Sequence, residues 1–178
     1  MTLFLVRHGR PLVDPAVPAA RWELDPGGYD EVWALRESAR LLGRALWFSS
    51  PEPKALATAE LLHDGEVGVV DALGEHRRES AEWLNGAAFD EAVRRAFAVP
   101  DADAVPGWEP LAVCTTRVVG AVEAILAQAA GEDVVLVGHA TAWTTLAAAL
   151  SGSEPDLERW RALAMPDLIV VEPLPSIR

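Results

Sequence analysis

Residues 3–11 read LFLVRHGRP. The apolar run fits a short buried strand, yet it ends in an arginine and a histidine side by side and then a glycine, which no packed core requires. The pattern returns twice. LWF at 46–48 runs into Ser49, Ser50 and Pro51, and VLV at 135–137 runs into Gly138 and His139. Open α/β sheets bind ligands beyond the carboxyl ends of their strands. If these three strands lie side by side, two histidines and several cations meet at one rim.

Between the strands, apolar residues recur at helical spacing. Val32, Leu35, Ala39 and Leu42 follow a Pro-rich loop over 10–28. Ser50-Pro51 reads as a helix start, serine capping and proline in the first turn, with Ala55, Leu56, Ala59 and Leu62 carrying the helix. A short strand is expected at 67–70. Phe89, Val93 and Phe97 mark a helix, 100–110 a loop, and Cys114, Val118, Val122, Ile125 and Ala129 a long amphipathic helix. DVVLV at 133–137 is the clearest buried strand; a helix through Leu146 and Leu150, another over 157–163 and a strand at 168–171 follow. Strands alternating with helices predict an α/β fold, a three-layer α/β/α sandwich with a mostly parallel central sheet. With 178 residues, a single domain over 1–178 is expected.

Composition narrows the function. Hydrophobic residues make up 51% and charged ones 24%, as in globular proteins. A formal net charge of −12 argues against nucleic acid and anionic membranes as partners and makes any local basic cluster more telling. The single cysteine, Cys114, excludes an internal disulfide and a cysteine-based zinc site, and falls on an apolar helix face as a small hydrophobe would. The first strand follows Met1 at once, and no apolar run approaches the roughly 20 residues of a membrane span, so a soluble cytoplasmic protein is expected.

LVRHG, SSPEPKALATAE, LGE and VVLVGHA occur in the order of the motifs of the histidine phosphatase superfamily, the phosphoglycerate-mutase-like proteins, and closely resemble them. GWEP and Arg117 support the match, which covers most of the chain. The resemblance implies a phosphoglycerate-mutase-like fold and a metal-independent phosphomonoesterase without a cofactor. It would act on a small phosphorylated substrate through a phosphohistidine intermediate. His8 would be the nucleophile, since a neutral imidazole can attack phosphorus near pH 7. Arg7 would grip phosphoryl oxygens with its planar fork. His139 would donate a hydrogen bond as charge shifts in the transition state. Glu75 matches the family's proton donor, a role that needs a raised pKa; Glu79 and Glu82 are alternatives in the same charged segment.

The chain also departs from the family. Lys54 stands where the family usually has a second phosphate-gripping arginine, near a helix start whose free N–H groups would favour an anion. An exposed helix lysine is its other reading. Arg10 and Pro11 replace an acidic or amide residue and threonine; Arg10 would add positive potential at the mouth of the site or be a solvated loop residue. Asp14 stands where asparagine is common. Trp22, Trp83 and Trp108 fall in predicted loops, where they would wall the pocket or pack beneath the loops. His76 and Glu79 have the spacing of a metal pair, but nothing completes a site, and no metal is expected. His63 reads as a surface residue. A phosphoglycerate-mutase-type phosphotransferase and a weakly active or non-catalytic binder of phosphorylated ligands stay open as alternatives, as does a homodimer.

Overall fold

β1 (Leu3–Arg7) runs parallel to β4 (Asp133–Gly138), with Leu3 opposite Val134 and Arg7 opposite Gly138. β2 (Ala45–Ser49) is parallel to β4 on its other side, Ser49 facing Val137. β3 (Gly68–Val69), shorter than the expected 67–70, pairs with β2, and β5 (Asp167–Val171) runs antiparallel beside β1. The order is therefore β3-β2-β4-β1-β5, a five-stranded and mostly parallel sheet. The three strands with polar ends are neighbours at its centre. The computed structural model describes residues 1–38, 40–41, 44–79 and 83–171.

Side chains alternate across the strands and so feed two cores. Leu3, Leu5, Val134 and Leu136 pack on one face beneath α3 (Gly86–Ala98), α4 (Leu111–Gln128), α5 (Ala140–Ser151) and α6 (Leu157–Ala162). Val6, Val135 and Val137 pack on the other beneath α1 (Tyr29–Glu37) and α2 (Pro53–Leu62). α1 buries Val32 and Leu35 as the periodicity predicts; Ala39 and Leu42 lie outside the described residues. α4 is long and apolar enough to cross a membrane by length and composition. Its buried stripe of Cys114, Val118, Val122 and Ile125 is that of a helix lying on a sheet.

The start of α2 departs from the sequence reading. The helix begins at Pro53, not Pro51, and its N-cap is Glu52, not Ser50. A residue preceding proline is pushed to extended backbone, and Glu52, with ψ of 130°, obeys that rule, so helix cannot begin before the second proline. Pro53 has no N–H, Lys54 N–H donates to Trp22 O at 3.3 Å, and Ala55 N–H to Glu52 O at 2.9 Å. The first turn thus offers no free N–H to an anion, contrary to expectation.

Gly138 is fixed by packing. A Cβ there would stand 2.5 Å from the indole of Trp143, whose Nε1–H donates to Val6 O at 2.8 Å. Gly138→Ala is therefore expected to lower stability by about 1–3 kcal/mol through overpacking. At exposed Gly120, mid-helix in α4, an added Cβ meets nothing within 4 Å. Gly120→Ala should stabilise by about 0.5–1 kcal/mol, the helix-propensity gain. Denaturant midpoints of the two variants check both signs.

Candidate active site

Strand register decides what stands at the rim. Because Arg7 faces Gly138 and Ser49 faces Val137, the next residues out are His8, His139 and Ser50. The backbone stays paired one step further: His8 N–H donates to Gly138 O at 2.9 Å and Ser50 N–H to Val137 O at 3.0 Å. The two imidazoles meet edge to face, ring centroids 5.2 Å apart and planes at 62°. Both are buried, and both line a cavity of about 1400 Å³.

The hydrogen bonds of His8 fix its tautomer. Nδ1 lies 2.6 Å from Gly9 O, and a carbonyl oxygen can only accept, so Nδ1 carries the proton and Nε2 keeps its lone pair. Burial, His139 and Lys54 hold its pKa well below the ordinary histidine value, against the pull of the Gly9 carbonyl. His139 is likewise neutral. Burial brings it down to about 3, with Lys54, Arg78 and Arg7 adding to the effect and Glu75 opposing it. Its Nε2 lies 2.7 Å from Ser50 Oγ and 3.3 Å from Glu52 Oε1, while its buried Nδ1 has no partner among the described residues. Arg7 gives one N–H to Leu163 O, and its buried Nε is also unpartnered. The Arg7 Nε–H, buried at the cavity with no acceptor among the described residues, suits an anion that supplies one.

Glu75 belongs to the site in an unexpected charge state. Its carboxylate accepts from Thr141 N–H (3.2 Å) and Ala142 N–H (3.0 Å) at the start of α5 and from its neighbour's N–H at His76 (2.9 Å), with Arg78 at 3.7 Å. Burial alone would raise its pKa, yet Arg78, His139 and the His76 N–H together bring it down to about 2. The raised pKa expected of a proton donor is not what the resting site holds. Arg117 clamps the segment from behind, donating to Ala72 O, Gly74 O and Glu75 O, and pairs with Glu109.

Lys54 is buried at the cavity, not exposed on its helix, but its charge is engaged. Nζ donates to Ala19 O at 2.8 Å and to Glu52 Oε2. Glu52 Oε1 in turn accepts Glu75 N–H at 2.8 Å. Arg10 lies at the cavity mouth, half exposed, bound to Asp25 at 2.9 Å and to Gly27 O, with Glu31 at 3.8 Å. Its charge serves the loop that follows β1. Glu79 lines the cavity, and Glu82 lies outside the described residues. Trp22 and Trp83 face each other at 5.4 Å on the cavity wall, which Trp108 also lines while buried against His76 and Phe89. His76 points Nε2 at Glu109 O, 2.6 Å away, and among the described residues no three His, Cys, Asp or Glu side chains gather as a metal site would require. His63 is no free surface residue but stacks on Trp47 at 4.7 Å.

Sequence reasoning missed Ser50, Glu52 and Arg78. Ser50 reads as a helix cap in the sequence and is a His139 partner in the fold. Opposite charges flanking Pro53 in SSPEPK were the available signal for Glu52, since both lie just past a strand end. Arg78, which sits over the Phe89 and Trp108 rings (4.8 and 5.0 Å) and donates to Thr141 Oγ1, was indistinguishable from its charged neighbours.

A family model, the histidine phosphatase superfamily (branch 1), matches residues 3–173. Among solved structures, a mycobacterial glucosyl-3-phosphoglycerate phosphatase shares the fold with a TM-score of 0.75 at 22% identity, covering 95% of this chain and 88% of its own. A phosphoserine phosphatase from Entamoeba histolytica gives 0.72 at 19%, covering 95% and 89%. A phosphoglycerate mutase from Bacillus anthracis gives 0.71 at 19%, covering 96% and 87%. No curated protein sequence matches significantly.

The depressed histidine pKa values make stability depend on pH. Rings neutral in the fold protonate once exposed, near pH 6.5, so below that value the unfolded chain binds more protons. Stability is then full above pH ~6.5 and falls as pH drops, by up to about 1.4 kcal/mol per unit for each ring. Glu75 acts in the same direction lower down: its stabilising effect is present above the ordinary carboxylate range and is lost as pH falls toward about 2. Urea midpoints at pH 7.5 and 5.5 should show this loss, and a His8→Asn, His139→Asn variant should show a shallower one. A flat wild-type profile would mean that the rings titrate in the fold as they do in the unfolded chain, and stability that rises as pH falls would mean that they are charged in the fold.

Proposed function

The chain belongs to the histidine phosphatase superfamily, and on that footing we propose that it hydrolyses phosphomonoesters of small molecules through a phosphohistidine at His8. The observation that carries this reading is the His8 tautomer: the Nδ1 contact with Gly9 O leaves Nε2 as the nucleophile. Nε2 attacks phosphorus, an N–P bond forms and the ester P–O bond breaks. Water then attacks the same phosphorus, the N–P bond breaks, and inorganic phosphate leaves with the imidazole restored. Arg7, whose buried Nε–H has no acceptor among the described residues, would bind the phosphoryl oxygens, and His139, its ring 5.2 Å from that of His8, would stand beside them. Side chains of one domain supply nucleophile and charge stabilisation, so activity should survive a chelator. The lone buried Cys114 suits a reducing compartment, and we place the protein in the cytoplasm.

The leaving oxygen needs a proton unless it is stable as an anion. Glu75, ionised at rest, can supply one only after the arriving phosphoryl charge has raised its pKa. Aryl phosphates escape this requirement, and the Trp22–Trp83 wall suits an aromatic or apolar group. We expect aryl esters to turn over at least about 10² faster than alkyl esters, the lower end of what general acid catalysis contributes.

Incubation with a radiolabelled aryl phosphate tests the reading. Phosphate release and an acid-labile protein label are expected, both lost in His8→Ala. The engaged charge of Lys54 favours a second reading, a non-catalytic binder of phosphorylated ligands; it prevails if wild type shows neither signal between pH ~5 and 8, where imidazoles titrate. Rapid isomerisation of 3-phosphoglycerate with a phosphorylated primer would instead make the chain a phosphotransferase.

A further inference from the structure

Glu52 is a buried carboxylate that the proposed reaction does not use, and it lies among groups suited to an anion. Oε2 accepts from the Lys54 ammonium, Oε1 accepts Glu75 N–H at 2.8 Å, and Oε1 stands 3.3 Å from His139 Nε2. Glu52 and Lys54 line the same cavity as His8 and His139, and Lys54 is close enough to depress the pKa of both rings. Besides Arg7, its ammonium is a cation that a phosphoryl group beside His8 could recruit. It is already neutralised, and a second anion brought to this point meets a carboxylate first.

We propose that Glu52 is an internal competitor for the phosphoryl group, a residue that sets how weakly this site holds anions by occupying Lys54 itself. The inference rests on the proposed reading of the cavity as a phosphoryl site. It accounts for a lysine that is buried, beside two imidazoles, and yet unavailable. A buried charge in low dielectric interacts far more strongly than one in water, so removing one negative charge here changes anion affinity by at least an order of magnitude. Gln at this position keeps the acceptor for Glu75 N–H and the side-chain shape, and it discards only the charge.

The test is the dissociation constant of inorganic phosphate, by calorimetry at fixed pH and ionic strength, for four proteins. Glu52→Gln should bind at least about tenfold tighter than wild type. Lys54→Met, which leaves the carboxylate unopposed, should bind weakest. Glu52→Gln with Lys54→Met should return to within about threefold of wild type, because the pair contributes no net charge in either protein. This double variant also guards against misfolding of a single one, since replacing both members of a buried pair leaves no unpaired charge. Equal or weaker binding by Glu52→Gln, or no binding by any variant, overturns the proposal. So does unchanged phosphate affinity with a collapsed kcat on alkyl esters, which would make Glu52 a proton donor. If wild type fails to hydrolyse any ester but the order of affinities holds, the competitor stands and the phosphatase reading falls. If wild type hydrolyses and the affinities are flat, the reverse is true.

Discussion

The site depends on the pairing of two parallel strands. Arg7 opposite Gly138 means that the chain leaves β1 and β4 at the same height, so His8 and His139, 131 positions apart, emerge as neighbours. Side chains in a strand alternate with a period of two, so a slip of one residue in either strand would exchange its two faces. Leu5 and Val6 would trade cores, and one of the rings would no longer meet the other. The register is held by both cores at once, with Leu3, Leu5, Val134 and Leu136 on one face and Val6, Val135 and Val137 on the other. Trp143 secures the end of the pairing, since its ring covers Gly138 and its N–H reaches Val6 O. Hydrophobic packing thus sets the distance between two groups that make no direct hydrogen bond.

That placement brings an electrostatic consequence. Imidazoles buried beside Arg7, Lys54 and Arg78 cannot readily take a proton, and both are held neutral. On the proposed reading, neutrality serves His8 as the nucleophile. The same cations would repel each other if left alone, and the fold answers with carboxylates: Glu52 against Lys54, Glu75 beside Arg78, Glu109 against Arg117. Among the described residues, six cationic and five acidic side chains line the cavity, a balance of one positive charge inside a chain whose formal net charge is −12. An anionic ligand therefore finds the cavity less repulsive than the surrounding surface, though far from strongly attractive.

Much of this was legible in the sequence, and the rest was not for a definable reason. The strands at 3–7, 45–49 and 133–138 announced themselves by apolar runs ending in polar residues, and the helices on them by their period. Those signals are local. The partner of a buried charge is not, because it depends on which loop the tertiary fold lays across the site. Lys54 was legible as a cation near the rim, but its capture by Glu52 and the Ala19 carbonyl follows from a loop that returns from residues 10–28. Glu75 could be placed in the site from its motif, whereas its ionised state follows from the start of α5, sixty-six residues on, donating two backbone N–H groups to it. Even the helix start at Pro53 turned on which of two prolines excluded helical backbone from its predecessor.

The charge states also explain how the resting site differs from a loaded one. Glu52 and Glu75 are satisfied by the protein, and His8 and His139 are neutral. A phosphoryl dianion arriving among these groups raises every pKa around it, because an added negative charge favours the protonated form of acid and base alike. Glu75 and His139, one held down by N–H donors and cations and the other by burial, both shift upward together. If the chain works as proposed, binding and proton uptake are thus coupled, and the proton a leaving group needs would arrive with the substrate's own charge. On the proposed reading, the strand register brings the groups together and the ligand's charge completes their protonation.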